Sequence, residues 1–530
     1  PAQAKVVELD AIKYLLQVLQ SENIRRDEDN MTIAARVTAN LCDFDQGSQV
    51  LIKADGCKVV IQLLHNIYPD LDEYLDLFDA LMDILRPVME KDSAQEYIWK
   101  ENLLPVLMNV TEEIYLTDEG KTEEEKKEDD KKLRTLKTEL IGCIVLVTQA
   151  NNNMKPIFNN REIMERFFAW LEVEDREDLQ ECAGLSLGNV ARSDEHCTKL
   201  VHENQILKPL IRAICKAKDL KTSYAATGVL RNLALAERNQ AVMGNFGVIQ
   251  ACYPLFKKDN AEPIQKNVIG IIKRLCANDS HNCIRVITGH EPYETISAVH
   301  EGEASNSSSS DANNGVETPL SELVDLIHRS ENAELKSEGT RTICGLIKVI
   351  WSTESMKEFD ARSIQALQHS LRQPFVISAI TAMVRNPKYG ILQSEGLIAL
   401  TLLVTSTTQG DVGMDVVLDA VVSDEVTPTP AAQMEDSGAS ENVPKAPTLL
   451  ESVLDLVRNK DGKAADEFRT NACVFLRSAL EMSARDGTDP SYLAFLKQSG
   501  IKKTMEETKD NAATRPLVKT ATQQVLLLLQ

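Results

Sequence analysis

AGLSLGNVA at residues 183–191 is answered by TGVLRNLAL at residues 227–235. The matching asparagines, Asn189 and Asn232, stand 232 − 189 = 43 residues apart. A fixed interval of roughly 40 to 47 residues marks tandem helical units, each burying its apolar face against the next.

The register extends in both directions. Counting back 43 from Asn189 reaches Leu146 in IGCIVLVTQ, and Asp83 in DALMDIL and Asn40 in RVTANLC are themselves 43 apart. Counting forward 42 from Asn232 reaches Arg274 in GIIKRLC, after which the helix recurs as TICGLIKVIW, GLIALTLLV and NACVFLRSAL. A second motif follows these helices: LIKADGCKVVIQLL from Leu51, LVHENQILKPLI from Leu200 and VMGNFGVIQACYPLF from Val242. Gly56, Asn204 and Gly247 sit at its corner, where a positive φ suits a sharp bend between helices. Each unit is therefore three helices, the last one long. The expected fold is an all-α armadillo (ARM/HEAT-like) right-handed superhelical solenoid of about nine to ten three-helix repeats. One solenoid over residues 1–530 is expected, with flexible insertions at 117–132, 301–318 and 407–446. The first is a dense charge run, the second is rich in Ser, Asn and Gly, and the third carries VTPTPAAQMEDSGAS. Such segments bury too little apolar surface to offset the entropy of ordering them.

Composition narrows the ligand. With 58 Lys plus Arg against 80 Asp plus Glu, the net charge is −22, which repels nucleic acid and anionic lipid and attracts basic proteins. The chain has no run of 18 apolar residues, the length a helix needs to cross a bilayer, so direct membrane insertion is not expected. The eleven cysteines sit mostly in apolar helical segments and show no CxxC pair, as in a reducing compartment. His196, Cys197 and His202 resemble a ligand cluster, but His281 and Cys283 repeat the pattern further on, so it reads as repeat consensus and no metal is expected. The chain has no P-loop, GxSxG, HExxH or dinucleotide fingerprint. A binding protein without cofactor, rather than an enzyme, is expected.

The long third helices of such a solenoid line a groove, and an asparagine there can hydrogen-bond the backbone of a bound chain. Asn40, Asn189 and Asn232 hold that register, and the competing reading is that they bond neighbouring repeats. Arg192, Asp194, Arg231, Lys273 and Arg274 edge the same surface. Together these eight are the candidate partner-binding residues.

The stretch ECAGLSLGNVARSDEHCTKLVHENQILKPL from Glu181, followed by YAATGVLRNLALAERNQAVM from Tyr224, resembles the armadillo-repeat GDP dissociation stimulators of small GTPases, the SmgGDS family. The similarity is clearest over residues 180–280. It implies a cytosolic protein, with the nucleus as a second location, that binds Rho and Ras family GTPases with polybasic, often prenylated C-terminal tails. By that resemblance the groove loosens the nucleotide pocket so that GDP leaves with no bond made by the stimulator. Asn189, Arg192, Asp194, Arg231 and Asn232 match the family's motif. A monomer is expected.

Two other protein-binding classes share the repeat. Nuclear-import receptors pair each groove asparagine with a tryptophan one turn earlier, where this chain has Leu185 and Gly228. A catenin-like scaffold has a basic groove, opposite to this charge balance. The alternative to the stimulator is an armadillo scaffold or chaperone-like adaptor for other protein partners.

Overall fold

The long helix that closes each repeat sets the frame. In a computed structural model these helices are α1 (Ile24–Cys42), α2 (Leu71–Met89), α3 (Glu123–Gln149), α4 (Glu177–Val190), α5 (Leu220–Leu233), α6 (Glu262–Leu275), α7 (Ala333–Ile350), α8 (Gly390–Val404), α9 (Asp466–Ser483) and α10 (Pro516–Leu528). The structure describes residues 10–21, 23–117, 121–290, 317–405, 414–423, 447–459, 462 and 464–530. Among the described residues there is no β-strand, and the chain is an all-α solenoid. It divides into two compact units, Pro1–Asn239 and Gln240–Gln530. In the first unit α1 packs on α2, α2 on α3, α3 on α4 and α4 on α5. In the second, α6 packs on α7, α7 on α8, α8 on α9 and α9 on α10.

The pairing of α4 with α5 shows why the quoted phrases form this layer. Leu187 and Val190 of α4, and Val229, Leu230 and Leu233 of α5, are fully buried, each worth about 1.5–3 kcal/mol in removed apolar surface. Gly184 permits the close approach: a Cβ there would lie 2.8 Å from Ala225 Cβ. Two shorter helices precede α4 and α5, Asn151–Phe158 and Arg161–Glu172 before α4, and Asp194–His202 and Leu207–Lys216 before α5. The second unit departs from three helices before α8, where Thr353–Glu358, Ala361–Leu371 and Pro374–Val384 all intervene.

A polar lock recurs at the ends of the long helices, where a side chain donates to a carbonyl six or seven residues before it. Ser48 Oγ donates to Cys42 O, Gln95 Nε2 to Met89 O, Asn153 Nδ2 to Val147 O, Asn239 Nδ2 to Leu233 O and Asn282 Nδ2 to Leu275 O. Each side chain satisfies a carbonyl that the end of a helix leaves without an intrahelical partner. Three of the amides also reach the previous repeat, Asn153 to Gln95 O, Asn239 to Cys197 O and Asn282 to Gln240 O.

Some expectations are corrected. Two of the three corners bend one residue away from the expected position: Asp55 and Gln205 take φ of 58° and 54°, in place of Gly56 and Asn204, while Gly247 does take a positive φ of 83°. Gly56 instead allows close packing, since a Cβ on it would lie 2.5 Å from Leu51 Cγ. The charge run expected as a loop over 117–132 is helical from Glu123 onward. Thr122 and Glu125 form a capping box there, and three glutamates occupy the positive end of the helix. Extending an established helix costs far less than nucleating one, so the run needs no apolar face of its own. Lys121 ties it down by bridging Asp72 at 2.7 Å and Asp129 at 2.6 Å. Of the other two segments, 301–316 and 424–446 lie outside the described residues, and within 407–446 a helix, Asp415–Val422, buries Val417, Leu418 and Val421. Among the described residues, no helix is long and apolar enough to cross a membrane.

Candidate protein-binding surface

The asparagine register is a chain of bonds between long helices. Asn232 Nδ2 on α5 donates to Gly188 O on α4 at 2.9 Å, and Asn189 Nδ2 on α4 donates to Val145 O on α3 at 3.1 Å. Asn189 Nδ2 also reaches Thr148 Oγ1 at 3.1 Å, and its Oδ1 accepts from Arg192 Nη2 at 3.3 Å. These two amides therefore join neighbouring repeats, which is the competing reading given for them above. Asn40 behaves differently: it is exposed, and its Nδ2 donates within its own helix to Arg36 O at 3.0 Å.

The remaining candidates fall in separate places. Arg192, Asp194 and Arg231 are exposed in the first unit, with Asp194 opening the helix Asp194–His202 behind its Ser193 cap. Lys273 and Arg274 belong to the second unit. Lys273 Nζ is held by Glu338 at 2.7 Å, while Arg274 is exposed. Asn40 is on α1, apart from α4 and α5. His196, considered above as a ligand, lies with Nδ1 2.9 Å from Val190 O and stacks on Phe158 at 3.8 Å between centroids. It occupies the lock position that amides fill in other repeats.

The main surface of α2 was not singled out by sequence reading. Asp76, Asp79, Asp83 and Glu90 follow one another at intervals of three, four or seven, which puts them on one helical stripe interrupted by Arg86, with Asp72 just before the kink at Tyr74. The signal was present in DEYLDLFDALMD, in which acids alternate with the apolar positions that face the core. Leu77, Phe78, Leu81 and Leu85 are fully buried, and Asp72, Asp76 and Asp79 are exposed. Asp43, Asp83, Arg86 and Glu90 line a recess of about 450 Å³ between α1 and α2 together with Arg36 and Asn40. Asp76 and Asp79 line another between α2 and α3, opposite Glu128, Lys131 and Lys132. Arg86 is occupied by Glu139 at 2.6 Å and Asp83 at 3.1 Å.

Partial burial, then the neighbouring Asp83, raises the Asp79 carboxyl above its ordinary value, although Arg86 opposes this. Burial also raises Glu139 on α3 despite its Arg86 partner. A surface that holds carboxylates at this density gains by taking up an ammonium or guanidinium group.

No protein-family model matches the chain. It is 24% identical over 279 residues, 51% of its length, to the GTPase-GDP dissociation stimulator vimar of Drosophila melanogaster. The chain spans 40% of that relative's length. Among solved structures it is similar to an engineered protein, with a TM-score of 0.54 and 14% identity over 98% of both chains. It is also similar to a structure from work on a phosphorylation switch between cadherin and β-catenin, with a TM-score of 0.52 and 13% identity over 98% of this chain and 94% of that one. The solved structures bear on fold alone. The sequence match bears out the resemblance to the armadillo-type GDP dissociation stimulators.

Proposed function

We propose that this chain binds small GTPases of the Rho/Ras type that carry a polybasic C-terminal tail, and promotes release of their GDP or chaperones them without covalent chemistry. The similarity to a GDP dissociation stimulator over half of the chain carries the proposal. The acidic stripe on α2 supports the finer part of it, because a lysine-rich tail would set cationic groups against the neighbouring carboxylates of Asp76, Asp79 and Asp83. Arg192, Asp194 and Arg231 are the exposed contacts proposed for the body of the GTPase in the first unit, and Arg274 is proposed in the second. Asn189, Asn232 and Lys273 support those contacts from bonds within the fold, and Asn40 edges the acidic recess. The working form is a monomer in the cytoplasm, where free thiols persist.

A panel of Rho and Ras family GTPases loaded with fluorescent GDP provides the test. Addition of the chain accelerates GDP release from members with lysine-rich tails, and the acceleration falls with rising salt because exposed charges are screened over about 8 Å at physiological ionic strength. Silence across the whole panel, in both release and binding, would remove the proposal.

A further inference from the structure

On the reading that the first unit binds a GTPase, we propose that Arg192 presents its guanidinium to a carboxylate on the bound protein, and that Asn189 is the positioning residue that aims it. The argument starts from what Asn189 has left to offer. A primary amide carries two N–H donors. Asn189 Nδ2 faces two acceptors, Val145 O and Thr148 Oγ1, both at 3.1 Å. Both acceptors lie on α3, so these bonds hold the amide plane fixed. Its oxygen then points to Arg192 Nη2 at 3.3 Å. With its donors engaged inside the fold, Asn189 has no free hydrogen for a ligand's backbone.

Arg192 is the group that faces outward. It is exposed, and among the described residues it forms no ion pair. The acids that follow it do not neutralise it: Asp194 opens the next helix, and Glu195 is paired with Lys199 at 2.8 Å. One bond to Asn189 leaves four of the five guanidinium N–H groups free, in a planar fork that matches a carboxylate. The acidic stripe on α2 lies two helices away, across α3. At 8–10 Å between neighbouring helices, the two charged places are roughly 20 Å apart. The partner that fits carries a cationic segment for α2 and a carboxylate for Arg192, and the opposite signs orient it as well as attract it.

The test uses the whole chain and, as probe, a Rho-family GTPase with a lysine-rich tail and a fluorophore attached covalently to the protein, with affinity read by anisotropy. Arg192→Ala weakens binding about tenfold, the size expected for loss of one charge-assisted contact. Arg192→Lys recovers part of the loss, since it restores the charge without the fork. Asn189→Ala weakens binding about threefold in the wild-type chain and has no further effect in the Arg192→Ala background. That non-additivity is the signature of acting through Arg192, whereas a purely structural role for Asn189 would move the melting temperature and not the coupling. Arg192→Ala leaves the melt unchanged. Equal losses from Asn189→Ala in both backgrounds would show that the amide meets the partner itself and would overturn the assignment, as would Arg192→Ala binding within twofold of wild type. Failure of the wild-type chain to bind any GTPase removes the functional reading together with this one.

Discussion

Asn232 reaches back 44 residues along the chain to donate its Nδ2 to Gly188 O at 2.9 Å, beside the residue, Asn189, that makes the same bond to the repeat before. At these two positions the period found in the sequence is thus a pair of side-chain hydrogen bonds, each fixed to the backbone of the preceding long helix.

The asparagines of the repeats differ in energetic weight. Asn239 is fully buried and bridges Leu233 O and Cys197 O, so Asn239→Ala removes two buried hydrogen bonds and costs about 1–3 kcal/mol. Asn232→Ala, at a half-buried site, costs about 1 kcal/mol. Asn40→Ala removes only an exposed bond within one helix and leaves stability nearly unchanged. Denaturant melts of the three variants give the order, and a reversed order would contradict this ranking.

Helix spacing gives a second expectation. Gly184→Ala puts a Cβ 2.8 Å from Ala225 Cβ and 3.2 Å from its carbonyl carbon. The backbone of α5 must shift to admit it, at a cost of about 1–3 kcal/mol. Gly142→Ala, on α3 with no atom within 4 Å of the added Cβ, serves as the control and is neutral or stabilising. Thermal unfolding distinguishes the two.

Acid pH separates binding from folding. A carboxyl whose folded pKa is raised, as burial and Asp83 raise that of Asp79, takes up its proton above the ordinary carboxylate range. Its contribution to stability therefore improves as pH falls, while its charge is lost. Asp178 has the opposite sign: burial disfavours its ionised form, but hydrogen bonds from Arg176 and the charge of Lys137 win and hold its pKa below the usual value. The stability it contributes, present above its unfolded pKa, is lost only as pH falls through that lower one. Affinity for a lysine-rich GTPase tail is expected to decline on mild acidification before the helical signal does, and Asp79→Asn with Asp83→Asn should mimic the decline at neutral pH. Coincident loss of affinity and helicity would assign no special role to the stripe.

Thiol chemistry offers an independent check on the core. Ten of the cysteines are buried and Cys215 is exposed. Burial pushes the thiols of Cys42, Cys57 and Cys143 up to about 12. Brief alkylation of the folded chain at neutral pH should modify Cys215 first, with the rest reacting only after unfolding. Early labelling of Cys182 or Cys143, read by peptide mass spectrometry, would mean that α3 and α4 are less tightly closed than their contacts imply.

Much of the architecture was legible because a solenoid repeats its instructions. The 43-residue interval, the leucines around Asn189 and Asn232, and the departures from the period are local facts, and an apolar face that cannot be buried within one unit forces the next unit to stack on it. Local signals also misled. The run after Lys121 lacks apolar residues and reads as a loop, yet it continues a helix already nucleated by packing further along, and a capping box sets its start. Residue types at positions 189 and 232 could name asparagine but not its acceptor; whether an amide faces a ligand or a neighbouring carbonyl depends on the separation and rotation of two helices, which arise from packing. The same holds for Asp76, Asp79 and Asp83. Their spacing already placed them on one stripe, but only the apposition of α2 with α1 and α3 turned that stripe into the wall of two recesses, because charge density on a surface is a property of neighbours in space and not of neighbours in the chain.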